Sequence, residues 1–225
     1  MAIFLDSSKI EEIKKYYAMG IVRGVTTNPT ILLKEGVTGG MAGVKARTVE
    51  IAKLVDPYPV SVEVTTHDPA GILNQAKDIA GWAKNINVKV TIHGPNGELD
   101  HLPVVHQLEA KYNIRVNVTA MMSAQQCFLA AMAGATYVSI LAGRVNNMGY
   151  DSVEEIKKLR FLLDAHKLKA QIIAASTREA LNVTQWLSAG AHIVTVVPAL
   201  IDTMIVHPYS KETVKMFLDD AAKAK

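Results

Sequence analysis

The sequence predicts an α/β fold, a (β/α)8 barrel, and three observations lead there. Short β-rich runs alternate with helix-period runs along the whole chain, which implies parallel strands joined by right-handed crossovers. The alternation yields eight strand–helix units, the number that closes into such a barrel. The 225 residues exceed the roughly 200 that mark the compact end of this architecture. A doubly wound open sheet is the competing arrangement, but the first strand-to-helix turn lacks the Gly-x-Gly-x-x-Gly fingerprint. No composition shift marks a domain boundary, so residues 1–225 are expected to form a single barrel domain, with a C-terminal helical extension over about 203–225.

Taken in order, Ile3-Phe4-Leu5 is the first strand. Ser7 or Ser8 would cap a helix carrying Ile10, Ile13 and Tyr17, and Gly20 would end it. Val22 to Val25 reads as the second strand, leading into Thr26-Thr27-Asn28-Pro29. A helix over 41–55 stops at Asp56-Pro57, and Val60 to Val64 is the third strand. A helix over 69–84 precedes the fourth strand, Ile86 to Val90, and Gly94-Pro95-Asn96-Gly97 is a breaker. The remaining pairs are a helix near 99–111 with strand Arg115–Val118, a helix at 123–133 with strand Tyr137–Ile140, and a helix at 152–166 with strand Gln171–Ala174. A helix at 177–188 leads to strand His192–Val196, and one or two helices follow Pro198.

Composition narrows the function classes. Apolar residues make up 49% of the chain, enough for a substantial core, and no run of eighteen apolar residues exists to span a membrane. The N-terminus has no basic segment ahead of an apolar one, so no secretory signal is read there. Cys127 is the only cysteine, which fits a reducing cytoplasm. The net charge of +3 is spread over interleaved lysines and carboxylates, with no basic-aromatic pattern for nucleic acid.

The informative polar residues sit mid-strand or at strand ends, each as apolar–polar–apolar. Lys89 lies between Val88 and Val90, Glu63 between Val62 and Val64, and Asn117 and Thr119 flank Val118. Asp6 ends the first strand, Thr26, Thr27 and Asn28 follow the second, Ser139 lies in the sixth with Arg144 after it, and Ser176 and Arg178 follow the seventh. Strand side chains alternate, and the C-terminal ends of barrel strands carry the active site, so these groups would converge on one pocket. Singly, each has a plainer reading. Lys89 would be an edge-strand lysine that discourages aggregation, Asp6, Thr119 and Ser176 would cap helices, and Asn28 would mark a turn. Arg144 and Arg178 would be surface residues, and Glu63 with Lys89 a buried ion pair. Jointly, they suit Schiff-base chemistry. A desolvated lysine attacks a ketone, and the iminium draws electrons from the adjacent C–C bond. Asp6 would handle the hydroxyl proton, Glu63 with Thr119 the dehydration, and Asn28, Asn117 and Ser139 the sugar. Arg144, Arg178 and Ser176 would clamp a phosphate.

These segments match a known family in order. Ile3-Phe4-Leu5-Asp6, Gly24-Val25-Thr26-Thr27-Asn28-Pro29, Val60-Ser61-Val62-Glu63-Val64, Val88-Lys89-Val90, Asn117-Val118-Thr119, Tyr137-Val138-Ser139, Gly143-Arg144 and Ala174-Ala175-Ser176-Thr177-Arg178 resemble the small transaldolases and fructose-6-phosphate aldolases. The resemblance implies a TIM barrel with Lys89 as the Schiff-base residue, Asp6 as acid/base, and Glu63 and Thr119 holding a catalytic water. It implies that Asn28, Asn117 and Ser139 meet the dihydroxyacetone part, with Thr26 among the substrate-binding residues, and that Ser176, Arg178 and Arg144 hold the phosphate. It implies no metal or organic cofactor, phosphorylated sugars as substrates, and a homo-oligomer, pentamer or decamer, with C-terminal helices reaching to neighbours. The aldolase branch has glutamine at the Glu63 position and no asparagine at the Asn117 position, so this chain resembles the transaldolase branch.

The chain also departs from the pattern. Ile140 and Leu141 stand where the family has a proline and then an aromatic residue, and Thr91 where it has a proline. The aromatic lies beside the water site, so its replacement bears on partition between transfer and hydrolysis. The connection from Thr91 to Ile114 is long and holds His93, His101 and His106. Their spacing is not a metal-binding pattern, so they are expected to be solvated loop histidines. Besides transaldolase, the residues leave open an aldolase that releases dihydroxyacetone, a variant whose departures alter its acceptor or donor preference, a sugar-phosphate-binding barrel without turnover, and a structural Glu63–Lys89 pair.

Overall fold

A computed structural model describes residues 2–224. Eight strands form it: β1 (Ile3–Asp6), β2 (Val25–Thr26), β3 (Val60–Glu63), β4 (Ile86–Thr91), β5 (Val116–Met121), β6 (Tyr137–Ile140), β7 (Gln171–Ala174) and β8 (Ile193–Val196). All neighbours pair in parallel and β8 closes on β1, giving a closed barrel in sequence order. The described helices are α1 (Ile10–Ala18), α2 (Pro29–Lys34), α3 (Gly40–Val55), α4 (Pro69–Ala80), α5 (His101–Tyr112), α6 (Ala124–Met132), α7 (Ala142–Asn147), α8 (Ser152–Ala165), α9 (Ala180–Ser188), α10 (Pro198–Ile205) and α11 (Pro208–Lys223). The chain is thus a (β/α)8 TIM barrel. Among the described residues no helix is long and apolar enough to cross a membrane.

The strand residues facing outward are apolar and buried under the helices: Leu5, Val25, Val62, Val88, Val118, Val138, Ile172 and Val194 belong to one core. The inward face is layered. Phe4, Tyr137, Ile173 and Ile193 form a separate small cluster, with the Phe4 and Tyr137 rings edge-on at 6.3 Å. Phe4 and Tyr137 lie two residues before Asp6 and Ser139, so they share the inward face one step lower. This apolar plug is the floor beneath the polar layer. Gly24 makes room for it, since a Cβ there would stand 2.6 Å from the Phe4 ring.

Several expected boundaries are corrected. The second strand is Val25–Thr26 rather than Val22–Val25: the Arg23 N–H and the Gly24 carbonyl already bond Ile3 and Leu5 of β1, but only Val25 and Thr26 stand in register, opposite Leu5 and Asp6. Ser7 and Ser8 do not cap α1. Lys9 is its N-cap residue, without a side-chain cap, and both serine hydroxyls bond Glu35 instead. The helix expected over 69–84 ends at Ala80, where the Gly81 N–H closes onto carbonyls of the last turn. The one expected over 177–188 starts at Ala180, because Glu179 and Asn182 form a capping box there and Ser176 takes φ +66 just before it. Two short helices, α2 and α7, fall where the sequence reading had none. The C-terminal helices divide at Val206-His207, so Thr203 belongs to α10 and the last helix starts at Pro208.

Candidate active site

Lys89 is inside the barrel. β4 pairs with β3 on one side and β5 on the other, so the edge-strand reading is excluded. In register, Lys89 lies between Glu63 and Asn117. Its Nζ donates to the Thr27 carbonyl at 2.9 Å and stands 3.2 Å from Glu63 Oε2. Side-chain exposures of 9% for Lys89 and 17% for Glu63 show a pair that is sheltered yet open at the barrel mouth. The ion-pair reading is therefore geometrically real. It does not compete with chemistry, since a carboxylate at that distance is also a proton acceptor for the amine.

Asp6 ends β1, where Thr26 Oγ1 donates to its Oδ1 at 2.7 Å. Because that hydroxyl proton is committed, the buried Thr195 hydroxyl of β8 donates to Thr26 in turn. Burial pushes the Asp6 carboxyl above its ordinary range, and the nearby Glu35 charge adds to the rise, while the Thr26 hydrogen bond and the Lys89 charge pull the other way. Such an upward displacement brings a carboxyl toward the pH at which it can exchange protons.

A second hydrogen-bond chain runs deeper. Ser139 Oγ donates to Asn117 Oδ1 at 2.6 Å, and Asn117 Nδ2 donates to Ser61 Oγ at 3.1 Å. Both ends of the Asn117 amide are engaged and the residue is fully buried. Thr119 lies next to Lys89's strand, opposite Thr91. It precedes Ala120, whose φ of +61 accompanies a register shift between β5 and β6. Such bulges re-aim side chains beside active sites.

Asn28 caps α2, its Oδ1 accepting from the Ile31 N–H at 2.9 Å, which leaves its amide NH2 for another partner. Neither Thr119 nor Ser176 caps a helix; Ser123 and Glu179 hold those places. Gly143 at the start of α7 donates to the Ala175 carbonyl, and a Cβ on it would lie 1.7 Å from the Ser176 carbonyl oxygen. This close approach sets Arg144 beside Ser176, and Arg144 and Arg178 are both exposed.

The histidine expectation is corrected at His101, which is buried, not solvated. Its Nε2 lies 3.0 Å from the His67 carbonyl and its Nδ1 3.0 Å from that of Thr91. Thr91 Oγ1 also lies 3.1 Å from Nδ1; with polar partners at both ring edges the ring is withdrawn from water and pins the end of β4 to the loop after β3. His93 and His106 are exposed. Among the described residues no group of three or more His, Cys, Asp or Glu is placed to hold a metal ion.

Sequence reasoning missed three contributors: the Thr27 carbonyl, Thr195 and Glu35. Thr195 had a signal, the same apolar–polar–apolar spacing in the last strand. A hollow of about 280 Å³ between α6 and α8 gathers no comparable set; its Glu155 and Lys158 pair with each other at 3.0 Å.

Comparison with known proteins gives the family. A family described as "Transaldolase/Fructose-6-phosphate aldolase" matches residues 3–225. A probable transaldolase of Carboxydothermus hydrogenoformans is 39% identical over 220 residues, covering 98% of this chain and 97% of that protein. Probable transaldolases of Pelotomaculum thermopropionicum and Exiguobacterium sibiricum are 38% and 39% identical over 225 residues, covering all of this chain and 99% and 100% of theirs.

Proposed function

The chain belongs to the transaldolase/fructose-6-phosphate aldolase family of enzymes, and from that premise we propose that it is a transaldolase, moving a dihydroxyacetone unit from a ketose phosphate to an aldose phosphate through a Schiff base on Lys89. The observation that carries this reading is the sheltered Lys89 amine 3.2 Å from Glu63, in a barrel mouth shared with the Asp6 carboxyl.

The steps follow from those groups. The unprotonated amine adds to the ketose carbonyl, and the carbinolamine loses water to give an iminium. Glu63 moves the protons of that dehydration, through a water shared with Thr119. Asp6 takes the proton of the hydroxyl beyond the neighbouring C–C bond. That bond breaks, its electrons pass into the iminium as an enamine, and the first aldose phosphate leaves. An acceptor aldehyde reverses the sequence, with Asp6 returning the proton to the new hydroxyl, and hydrolysis frees Lys89. Asn28, Asn117, Ser139 and Thr26 would orient the three-carbon unit, and Ser176, Arg144 and Arg178 the phosphate, for which arginine's fork is suited. Glu63 in place of the aldolase branch's glutamine favours transfer. Leu141 in place of the family's aromatic favours a second reading, release of free dihydroxyacetone.

The remaining parts of the reading concern the whole chain: one barrel domain, acting in the pentose phosphate pathway and assembled as a homo-oligomer. A reducing cytoplasmic setting accords with Cys127, a free thiol whose burial pushes its ionisation up.

Borohydride reduction with fructose 6-phosphate, followed by peptide mass mapping, tests the chemistry. A reduced adduct on Lys89, absent from Lys89→Met, is expected. Wild-type protein without an adduct would overturn the reading.

A further inference from the structure

We propose that Glu35 is a positioning residue for Asp6: its carboxylate ties down the two residues that follow Asp6 and keeps an unneutralised negative charge behind the Asp6 carboxyl. The proposal rests on the Schiff-base reading above and adds a residue from outside the barrel strands.

The geometry is specific. Glu35 is the C-cap residue of α2. Its Oε1 accepts from Ser7 Oγ at 3.0 Å, and its Oε2 from the Ser8 hydroxyl at 2.7 Å and from the Ser8 N–H. Ser7 and Ser8 are fully buried, so these donors are not shared with bulk water. The second strand–helix unit thus grips the first at two points, Thr26 on Asp6 itself and Glu35 on the turn just after it. Asp6 sits between the grips, and its carboxyl has little freedom to rotate out of the mouth.

The charge matters as much as the hydrogen bonds. A glutamate serving only as a brace needs acceptor oxygens but no net charge. Among the described residues no ion-pair partner lies within 4.0 Å of Glu35, and its partners are neutral donors. The charged groups around this turn are otherwise engaged. Glu12 on α1 lies 3.1 Å from Ser7 Oγ, where it shares that single hydroxyl proton with Glu35, and pairs with Lys9 at 3.3 Å. Arg47 on α3 donates to the Ser8 carbonyl at 2.8 Å and lies 4.0 Å from Glu50. Lys89 on β4 faces Asp6 from across the mouth and is held by Glu63. The Glu35 charge acts on Asp6 in the direction that favours its protonated form, against the larger opposite pull of Lys89. The result is a stronger base once Asp6 is ionised, as the bond-breaking step asks.

Glu35→Gln keeps the length and an acceptor oxygen and removes the charge, and the pH profile of kcat/KM reads the free enzyme's acid limb. In this variant the acid limb is expected to move to lower pH, and the plateau kcat to fall with it as the base weakens. Glu35→Ala also frees the turn, and its kcat is expected to drop on the order of 100-fold, the scale of a misplacement of about 1 Å. A Glu35→Gln enzyme with an unmoved acid limb would overturn the proposal, even if its thermal midpoint fell, because a mere brace predicts that pattern. Borohydride trapping on the wild type separates the two claims. An adduct on Lys89 beside an unmoved acid limb removes only the role of Glu35, whereas no adduct removes both. If Glu35→Ala does not fold, the Glu35→Gln profile decides alone.

Discussion

Asp6 links function and stability with an unusual sign. Most carboxylates are held below their unfolded value and help the fold at neutral pH. Asp6 is held above the ordinary value of 3.8, chiefly by burial. The native state therefore binds its proton more tightly than the unfolded chain does. Its favourable contribution is complete below pH 3.8 and is lost as pH rises through the folded value, so ionised Asp6 burdens the fold at pH 7. Asp6→Asn is neutral at every pH and keeps an oxygen for Thr26. Urea unfolding should show this variant more stable than wild type at pH 7, with the gap closing toward pH 4, while turnover falls by about 10²–10⁴. A constant gap, or a less stable variant at pH 7, would contradict that sign. Residues of this kind were legible because each interrupts an apolar strand run, and Lys89, Glu63 and Asn117 stand out on that ground. Thr195 follows the same rule but offers no charge to draw attention. Glu35 was not legible. It follows an unremarkable six-residue stretch, and its partners lie 27 and 28 residues earlier, so no local period connects them.

Elements show the same division between local pattern and long-range contact. The strands were readable as short β-rich runs bounded by turn residues, buried almost continuously as in β4 and β8, and the long helices by their period-3.6 apolar positions. The helix α2 buries only Leu32, and α7 spans six residues starting Ala142-Gly143, too short for a period to appear. Both are nonetheless the elements that deliver site residues, α2 through Asn28 and Glu35, α7 through Arg144. What makes α7 possible is the missing side chain at Gly143, whose Cβ would sit 1.7 Å from the Ser176 carbonyl oxygen. Backbone cannot yield to that as a flexible side chain would. Gly143→Ala should push α7 away from the loop after β7 and separate Arg144 from Ser176. Steady-state kinetics should then show KM for a ketose phosphate raised by about tenfold or more, since displacements near 1 Å can cost up to about 100-fold. The strain of overpacking should lower stability by about 1–3 kcal/mol. An unchanged KM would mean that the α7 contact does not set the phosphate site.

At the scale of the molecule, α11 stands apart from the barrel core. Sixteen residues long, it buries none of its side chains. Val214, Phe217 and Leu218 are exposed at 56%, 62% and 67%, and their i, i+3, i+4 spacing sets them on one stripe. A helix of this length with no buried face gains little from its own hydrogen bonds, so something must cover the stripe. The oligomer proposed for this chain supplies a cover, a neighbouring copy. The stripe is continuous in sequence with Ile205 and Val206 at the end of α10, both also exposed. If α11 joins copies, ending the chain after Val206 should leave the barrel intact, because no barrel residue depends on α11 for its core. Size-exclusion chromatography with light scattering should find the full chain as a multiple of 24.4 kDa, and the shortened chain as a smaller species. The thermal midpoint of the full chain should rise with protein concentration, as mass action requires of an assembly that forms only from folded subunits, and that dependence should weaken on truncation. A full-length chain that runs as a monomer would sink the idea. A truncated chain with undiminished assembly would shift the interface elsewhere on the barrel, to exposed apolar residues such as Leu129, Met132 and Phe161 on α6 and α8.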